Sequence, residues 1–600
     1  MIKFILNKII PFTALLFHFT QLFAAYDDHR YEVLDEIDFQ DQNLTYDNFQ
    51  WQNLTDANFT NANLTNAILR NATLTGANFT NAIIKGVNFD FVKTLTKEQI
   101  YSTASYKNRD LSGISFGQVE LSGIDFSGQN LSNIEFRWAV LSEANFTDAS
   151  IKGTSFRETT SYGFTKEQLY STASYKNRDL SGVGLNGNDL NGWDFSNQNL
   201  SNINFEYSVL TNTNFTNALI DRGNFSSTTA KGFTKEQLYA TSSYKNHDLH
   251  GIKFGDNDLS GWDFSGQNLT DASFTYYDYS DYRQGNSNLS GANFADAVIN
   301  GVDFSETIGL TKEQLYSTAS YKNKDLNGVR FCNIEMEGWD FSSQDLSNVD
   351  LTNTMLTNAK FDNAKLVGAD LRGSTGFTGE SNGAVLKNTI LSDGTIRNFS
   401  MDSPDDKFLI RNYYSQGSNY TGTGGITAKI SEENAIISGG SELKLERGAQ
   451  LEVINQKTLT IASAGILTIN TVASSYGDPF ISVDSLSELI FEDGANLFIN
   501  VEIRGGPLFD TGDSASITLI EWEDGANIVG LSDLIKDENI SLTLDGEKFD
   551  GEWNFVLGNN QFLINISQVP EPASCAAVFG VLTLLLALNR KKFNLAKRGR

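Results

Sequence analysis

Four near-identical segments hold the side chains most able to do chemistry. They read LTKEQIYSTASYKN from Leu95, FTKEQLYSTASYKN from Phe164, FTKEQLYATSSYKN from Phe233 and LTKEQLYSTASYKN from Leu310. Lysine, glutamate, tyrosine and serine this close together invite a catalytic reading. No acid–base–nucleophile set accompanies them, and capping plus packing accounts for every recurring residue. His247 and His250 have the i, i+3 spacing of a metal pair. The sister positions are Arg109 and Ser112, Arg178 and Ser181, and Lys324 and Asn327, so the repeat does not carry such a site. No catalytic residue, metal or cofactor is expected. Two features could bind rather than catalyse. Tyr276-Tyr277-Asp278-Tyr279-Ser280-Asp281-Tyr282 mixes aromatic and acidic residues, as a sugar-binding patch or an irregular bulge would. Trp193, Trp262 and Trp339 recur at one place in successive blocks.

Each recurring segment opens with the signature of a helix start. Thr96 is placed to cap and Gln99 falls at N3, a capping box; Leu95 and Ile100 fall at N′ and N4, a hydrophobic staple. Thr165, Gln168, Phe164 and Leu169 repeat the quartet, and Thr234 and Thr311 cap the remaining copies. The pattern predicts four short helices of about ten residues, each leaving the main fold and returning. The first three copies start 69 residues apart and the fourth 77 further on. Two additional pentads and a lead-in shorter by two residues account for the difference.

The main fold is set by another period. Phe39, Leu44, Phe49, Leu54, Phe59, Leu64, Leu69, Leu74, Phe79, Ile84 and Phe89 fall every fifth residue. Five fits neither a helix at 3.6 nor a strand at 2, so the backbone turns a corner at every repeat, as a solenoid does. Ala57, Ala62, Ala67, Ala72, Ala77 and Ala82 fill the slot two residues earlier, where only a small inward side chain fits. The unit A-N-[LF]-T-N, as at Ala57–Asn61 and Ala77–Asn81, resembles the pentapeptide-repeat family. The resemblance implies an all-β, right-handed, quadrilateral β-helix with about four repeats per coil. The tryptophans occupy the small-residue slot before Phe195, Phe264 and Phe341, so the inserted helix is expected to cover them. Gln129, Gln198, Gln267 and Gln344 take the same slot one repeat later and need backbone partners.

The chain has 600 residues and a net charge of −28. Such a surface repels nucleic acid and anionic lipid, and no nucleic-acid partner is expected. Cys332 and Cys575 make no disulfide framework. At the N-terminus, Lys3 and Lys8 precede an apolar run from Ile9 to Phe23 and the small pair Ala24-Ala25, a signal peptide spanning 1–25. At the C-terminus, Pro570-Glu571-Pro572 precedes an apolar run from Ala573 to Leu588 and the bases Arg590, Lys591 and Lys592. This ordered tail resembles the PEP-CTERM sorting signal of Gram-negative bacteria. The resemblance implies export, transient anchoring in the inner membrane by the C-terminal helix, recognition by an exosortase-like enzyme and cleavage near Glu571. Release or attachment at the cell surface or in its matrix follows.

The expected order is pentapeptide block 1 over 37–91, then helix plus block at 95–157, 164–226, 233–305 and 310–373, with a transition over 374–399. A second β-rich module, solenoid or sandwich, spans 400–568, and the anchor spans 569–592 with a basic tail to 600. The second module rests on the pattern L-x-[LIF]-x-x-[GA]-[GA]-x-L-x-[VI] from Leu443, Leu459 and Leu489. The EDGAN turns at Glu492 and Glu523 match neither an EF-hand loop nor a glycine-rich calcium nonapeptide. The leading reading is a non-enzymatic, exported structural or interaction protein of the bacterial envelope or exopolysaccharide matrix. The alternatives are an acidic DNA mimic, as some members of the resembled family are, a polysaccharide-active β-helix enzyme, and low-affinity calcium binding by the acidic walls.

Overall fold

The computed structural model describes residues 37–278, 283–377, 382–411, 427–446, 449–472, 481–484, 487–492, 495–502, 515–522, 527–529, 540–544, 547–548, 553–558 and 561–566. The signal peptide, the sorting tail with Pro570, Glu571, Pro572, Arg590, Lys591 and Lys592, and Tyr279 and Tyr282 lie outside the described residues. Among the described residues no helix is long and apolar enough to cross a membrane.

Parallel bridges join residue i to residue i+20, as Asp38 to Asn58 and Asn43 to Asn63, so four pentads close one coil. The central residue of each pentad points inward and stacks on its equivalent one coil away. Phe39, Phe59 and Phe79 stack at 5.2 and 5.0 Å. Burial of each such ring contributes roughly 1.5–3 kcal/mol. Ala57, Ala62, Ala67, Ala72, Ala77 and Ala82 are buried beside them. One hydrophobic core runs without a break from Phe39 to Leu371.

The polar residues of the pentad have equally specific tasks. Asn58 Oδ1 accepts the Thr60 amide at 3.1 Å and its hydroxyl at 2.6 Å, an Asx turn that closes the corner. The Asn58 amide donates to Asp38 Oδ1 at 2.9 Å, linking adjacent coils. The corner residue itself has left-handed backbone, φ 58° at Asn61 and 59° at Asn66. The Asn-x-Thr sequence is thus a corner device.

The helical segments differ from the sequence expectation in two ways. Each is two helices, not one of about ten residues. They are α1 (Lys97–Ser102), α2 (Ala104–Lys107), α3 (Lys166–Ser171), α4 (Ala173–Lys176), α5 (Lys235–Ala240), α6 (Ser242–Lys245), α7 (Lys312–Ser317) and α8 (Ala319–Lys322). Thr103, extended at φ −68° and ψ 155°, ends α1 and caps α2 by accepting the Tyr106 amide. Nor do the helices leave the stack. They lengthen one coil: Asn88 pairs with Ser115 and Asp303 with Arg330, 27 residues on, and Ser155 with Gly184 and Asn224 with Lys253, 29 on. The 29-residue coils hold an additional 3₁₀ turn, Thr160–Tyr162 or Thr229–Lys231.

The ten additional residues before the fourth copy are not two pentads. They form an antiparallel hairpin, Thr275–Asp278 with Arg283–Asn286, inside one 30-residue coil bridging Ser273 to Asp303. Regular coils resume on either side because the hairpin enters and leaves at one corner. All four helix pairs therefore recur every three coils, roughly 14 Å apart at the usual strand spacing.

The twenty-residue bridge continues through Lys365–Val385 and Asp370–Ile390. Thr395–Lys429 and Met401–Ile437 then link it to another set of parallel ladders. Consecutive strands fall in three ladders and return to each one coil later. Ala428–Ile430, Leu451–Val453, Ile481–Val483 and Ala515–Trp522 form one. Ala435–Ile437, Thr458–Ile461, Glu488–Phe491 and Asn527–Val529 form the next. Lys407–Ile410, Glu442–Leu445, Ile466–Val472, Asn496–Glu502 and Ile540–Leu544 form the third. Gln561–Ile566 and Trp553–Gly558 pair antiparallel at the end of the first. The core of these ladders runs from Ile390 to Phe562.

Candidate functional site

The helix pairs gather most of the residues singled out by the sequence. Thr96, Thr165, Thr234 and Thr311 each accept the N3 glutamine amide, and each glutamine side chain accepts the threonine amide in return. The glutamine does more than cap. Gln99 Nε2 donates to Leu74 O at 2.7 Å and Ala77 O at 2.9 Å, one coil earlier. Gln168 does the same to Leu141 and Ala144, Gln237 to Leu210 and Thr213, and Gln314 to Leu289 and Ala292. The helix interrupts the strand ladder over Ala77, Ala144, Thr213 and Ala292, so the side chain replaces the lost backbone donor to those carbonyls, while Leu74, Leu141, Leu210 and Leu289 keep their turn bonds as well. Ser105, Ser174, Ser243 and Ser320 supply the missing acceptor, taking the amides of Ile84, Ile151, Ile220 and Ile299.

The following coil is held by the two tyrosines of each copy. Tyr101 and Tyr106 pack at 4.7 Å, and the other three pairs at 4.4 Å. The Asp125 amide donates to the Tyr101 hydroxyl, and the Tyr106 hydroxyl donates to Asp125 O, both at 2.7 Å. Asp194, Asp263 and Asp340 are held identically. Burial raises the Tyr106 and Tyr321 hydroxyls to about 12, so neither is a base near neutrality. The recurring Tyr-x4-Tyr is the sequence trace of this clamp, and sequence reasoning missed its role.

Trp193, Trp262 and Trp339 are 6, 6 and 5 % exposed. Trp193 lies 6.0 Å from Phe164 and 6.4 Å from Tyr170, and Trp262 lies 5.9 Å from Phe233. The staple residue packs on the first two indoles and a helix tyrosine on Trp193, and the burial of all three leaves little ring face for a ligand. A shallow depression of about 440 Å³ runs past the rim of Trp193, edged by Thr160, Lys166, Asp189 and Asn191. The buried Gln129, Gln198, Gln267 and Gln344 each donate at 3.1 Å to a helix carbonyl, that of Tyr106, Tyr175, Tyr244 or Tyr321.

Tyr276 is 7 % exposed and folds back onto earlier coils. Its hydroxyl donates to Glu206 at 2.8 Å and its ring meets Tyr207 edge-on at 5.8 Å. It anchors the hairpin instead of offering a ring to solvent. Tyr277 is placed by its backbone alone, paired with Gln284. His250 Nδ1 lies 3.0 Å from Asp248 Oδ1, and no cluster of three metal-ligating side chains is found among the described residues.

A buried charge cluster sits where the two sets of ladders meet. The Arg372 guanidinium, 1 % exposed, grips Asp370 through Nε at 3.0 Å and Nη2 at 2.6 Å, and Nη2 also donates to Arg411 O at 2.6 Å. Arg411 Nη2 in turn donates to Asn348 O at 2.9 Å. Arg330 bridges Asp303 at 3.2 Å and Asp350 at 3.3 Å. Burial opposes the charge of Asp350, but Arg330 and Arg411 win and hold its carboxyl below the usual 3.8. A depressed carboxylate stabilises the fold above its unfolded value, and that contribution is lost as pH falls through the folded one. Stability is therefore expected to fall below about pH 4, and Asp350→Asn to flatten this part of the profile, as thermal melts at stepped pH would record.

The pentapeptide-repeat model matches the chain in eight copies, at residues 53–90, 120–157, 179–217, 189–226, 285–308 and 335–373. No curated protein gives a significant match. Among solved structures, a pentapeptide repeat protein from the Arabidopsis thaliana thylakoid lumen is 23% identical, over 22% of this chain and 76% of that one, with a TM-score of 0.12. HetL, a pentapeptide repeat protein involved in heterocyst differentiation regulation in the cyanobacterium Nostoc sp. strain PCC 7120, is 18% identical over 49% and 97%, with a TM-score of 0.11. QnrB1, a plasmid-mediated fluoroquinolone resistance protein, is 15% identical over 50% and 91%, with a TM-score of 0.10. At these scores function rests on the geometry of this chain.

Proposed function

We propose, from a chain that carries pentapeptide repeats between residues 53 and 373, that the protein is an exported, non-enzymatic rod of the bacterial envelope or exopolysaccharide matrix. In this reading the pentapeptide region is a right-handed, quadrilateral β-helix and the C-terminal ladders are a β-solenoid that extends it. The observation that supports it best is the unbroken parallel ladder from Asn48 to Ile390. Its fifteen coil-to-coil steps span roughly 70 Å. Solenoids of this kind transmit position, since each coil contacts only its neighbours. The side chains best placed for chemistry in the helix pairs are instead committed to backbone groups: glutamine, tyrosine and threonine hold coils together.

Export and sorting belong to the same reading. The apolar and basic segments at the two ends supply the signals, and an exosortase-like enzyme is the processing partner. The test is fractionation of a Gram-negative host that carries such an enzyme, with mass spectrometry of the mature termini. Loss of residues 1–25 and a new C-terminus near Glu571 in the envelope or medium is the expected result. An intact chain found in the cytoplasm overturns it.

A further inference from the structure

One corner of the solenoid is chemically unlike the others. Following the ladder from coil to coil, its left-handed position holds Trp51, Asn71, Phe91, Gln118, Trp138, Glu158, Gly187 and Tyr207, with the four aromatic residues at φ 64, 61, 59 and 60° and polar residues or glycine in the coils between them. The connection runs through backbone bonds such as Trp51 N to Arg70 O, Phe91 N to Gly117 O and Trp138 N to Arg157 O. Elsewhere among the described residues the only Phe, Tyr or Trp at positive φ is Tyr46. Left-handed backbone is unfavourable for a bulky L-residue, and asparagine or glycine, which fill most other corners, relieves it. Four aromatic rings in one column are therefore kept against the backbone preference, and strain of this kind points to a use.

Arginines and carboxylates surround the rings. Arg70 lies over Phe91 at 5.0 Å, and Arg137 and Arg157 approach Trp138 at 4.4 and 5.9 Å. Trp138 Nε1 donates to Glu158 Oε2 at 2.7 Å, and Arg157 Nε meets Glu158 Oε1 at 3.1 Å. The Trp51 indole is 41% exposed. Arg70, Arg137 and Arg157 are matched by Asp90, Glu135 and Glu158 along the same ladder. On a chain of net charge −28 this stretch is locally balanced, so long-range attraction is not what it offers. It offers ring faces, guanidinium planes and carboxylate edges in a row.

The spacing fits one ligand class. Trp138 to Tyr207 is three coils, roughly 14 Å, whereas Trp51 to Phe91 and Phe91 to Trp138 are two coils each, roughly 10 Å. That is about the advance of two pyranose residues in an extended β-linked glycan, whose C–H faces stack on rings and whose hydroxyls pair with planar polar groups. Tyr276 packs on Tyr207 and closes the row at its far end. We propose that this corner is a binding ridge for an uncharged, extended polysaccharide chain lying along the solenoid axis. The proposal deepens the matrix-interaction reading above and rests on it.

The test uses the full chain and washed insoluble β-1,4-glucan as the probe. Trp51, Phe91 and Trp138 are replaced together by asparagine, which suits left-handed corners, so the melting temperature is expected to hold or rise. The parent protein is expected to be retained, and the triple variant to bind at least about tenfold more weakly. No retention of the parent, or equal retention of both, overturns the ridge. Retention confined to alginate and abolished by salt also overturns it, because charge would then be the driver. Should the triple variant melt lower, Trp51→Asn alone carries the comparison. A secreted chain that ignores the glucan removes the ridge and leaves export standing; a cytoplasmic chain that binds it does the reverse.

Discussion

Replacing Arg372 with methionine is expected to destabilise the junction between the two sets of ladders by about 3–5 kcal/mol, the usual cost of leaving a buried charge without its partner. Arg372 is 1 % exposed and Asp370 2 %, so water cannot take over when the guanidinium is removed. The same substitution frees Arg411 O from a 2.6 Å bond. The loss should be local at first. Hydrogen exchange is expected to quicken around Asp350–Ile390 and Lys407–Ile410, while coils near Phe59 stay protected, because a solenoid transmits stability only through neighbouring coils. The double variant Asp370→Leu with Arg372→Met should recover most of the loss, since an apolar pair of similar volume avoids the desolvation cost. If the single variant exchanges no faster than the parent, the cluster does not hold the junction.

The other large effect is expected at the glutamine of a helix pair. Gln168→Leu removes an acceptor from Thr165 and two donors from Leu141 O and Ala144 O. A lost cap alone costs about 1 kcal/mol, and stranding Ala144 O adds about 1–3 kcal/mol, while Leu141 O keeps its bond from the Ala144 amide. Thr165→Ala removes the Thr165 hydroxyl that caps the Gln168 amide, so it is expected to cost about half as much or less. Exchange at the amides of the coil containing Leu141 and Ala144 measures the difference. Equal effects of the two substitutions would mean that Gln168 is only a cap.

This second case shows what local sequence carries and where it stops. Thr165, Gln168, Phe164 and Leu169 mark a helix start because capping and stapling act over three to five residues. The reach of Gln168 to Leu141 spans 27 residues and depends on which coil lies beneath, which no local pattern records. Thr103 shows the same limit at shorter range. A single threonine ends one helix and starts the next because the chain must rejoin the ladder, where the Ala104 amide meets Ala82 O. The pentad count also misled in one place: the ten residues around Tyr276 preserve the arithmetic of two repeats while folding as a hairpin.

By itself, the sequence determined the coil. A large apolar residue every fifth position, a small one two places before it and an Asn-x-Thr corner leave the backbone one economical path. Each of those choices is local and repeated, so the signal accumulates along the chain. It also determined that four capped helices interrupt the coil and that tryptophan and glutamine invade the inward slot near them. Only the tertiary structure decided what those exceptions do. It placed Trp193 and Trp262 against the staples, turned the glutamines and tyrosines into links between coils, buried Asp350, Asp370 and Arg372 together, and aligned Trp51, Phe91 and Trp138 along one corner. The physical reason is that coil length varies between 20, 27, 29 and 30 residues, so neighbours in space have no fixed separation in sequence. Register between coils is a property of the closed ladder, and the ladder exists only once the chain has folded.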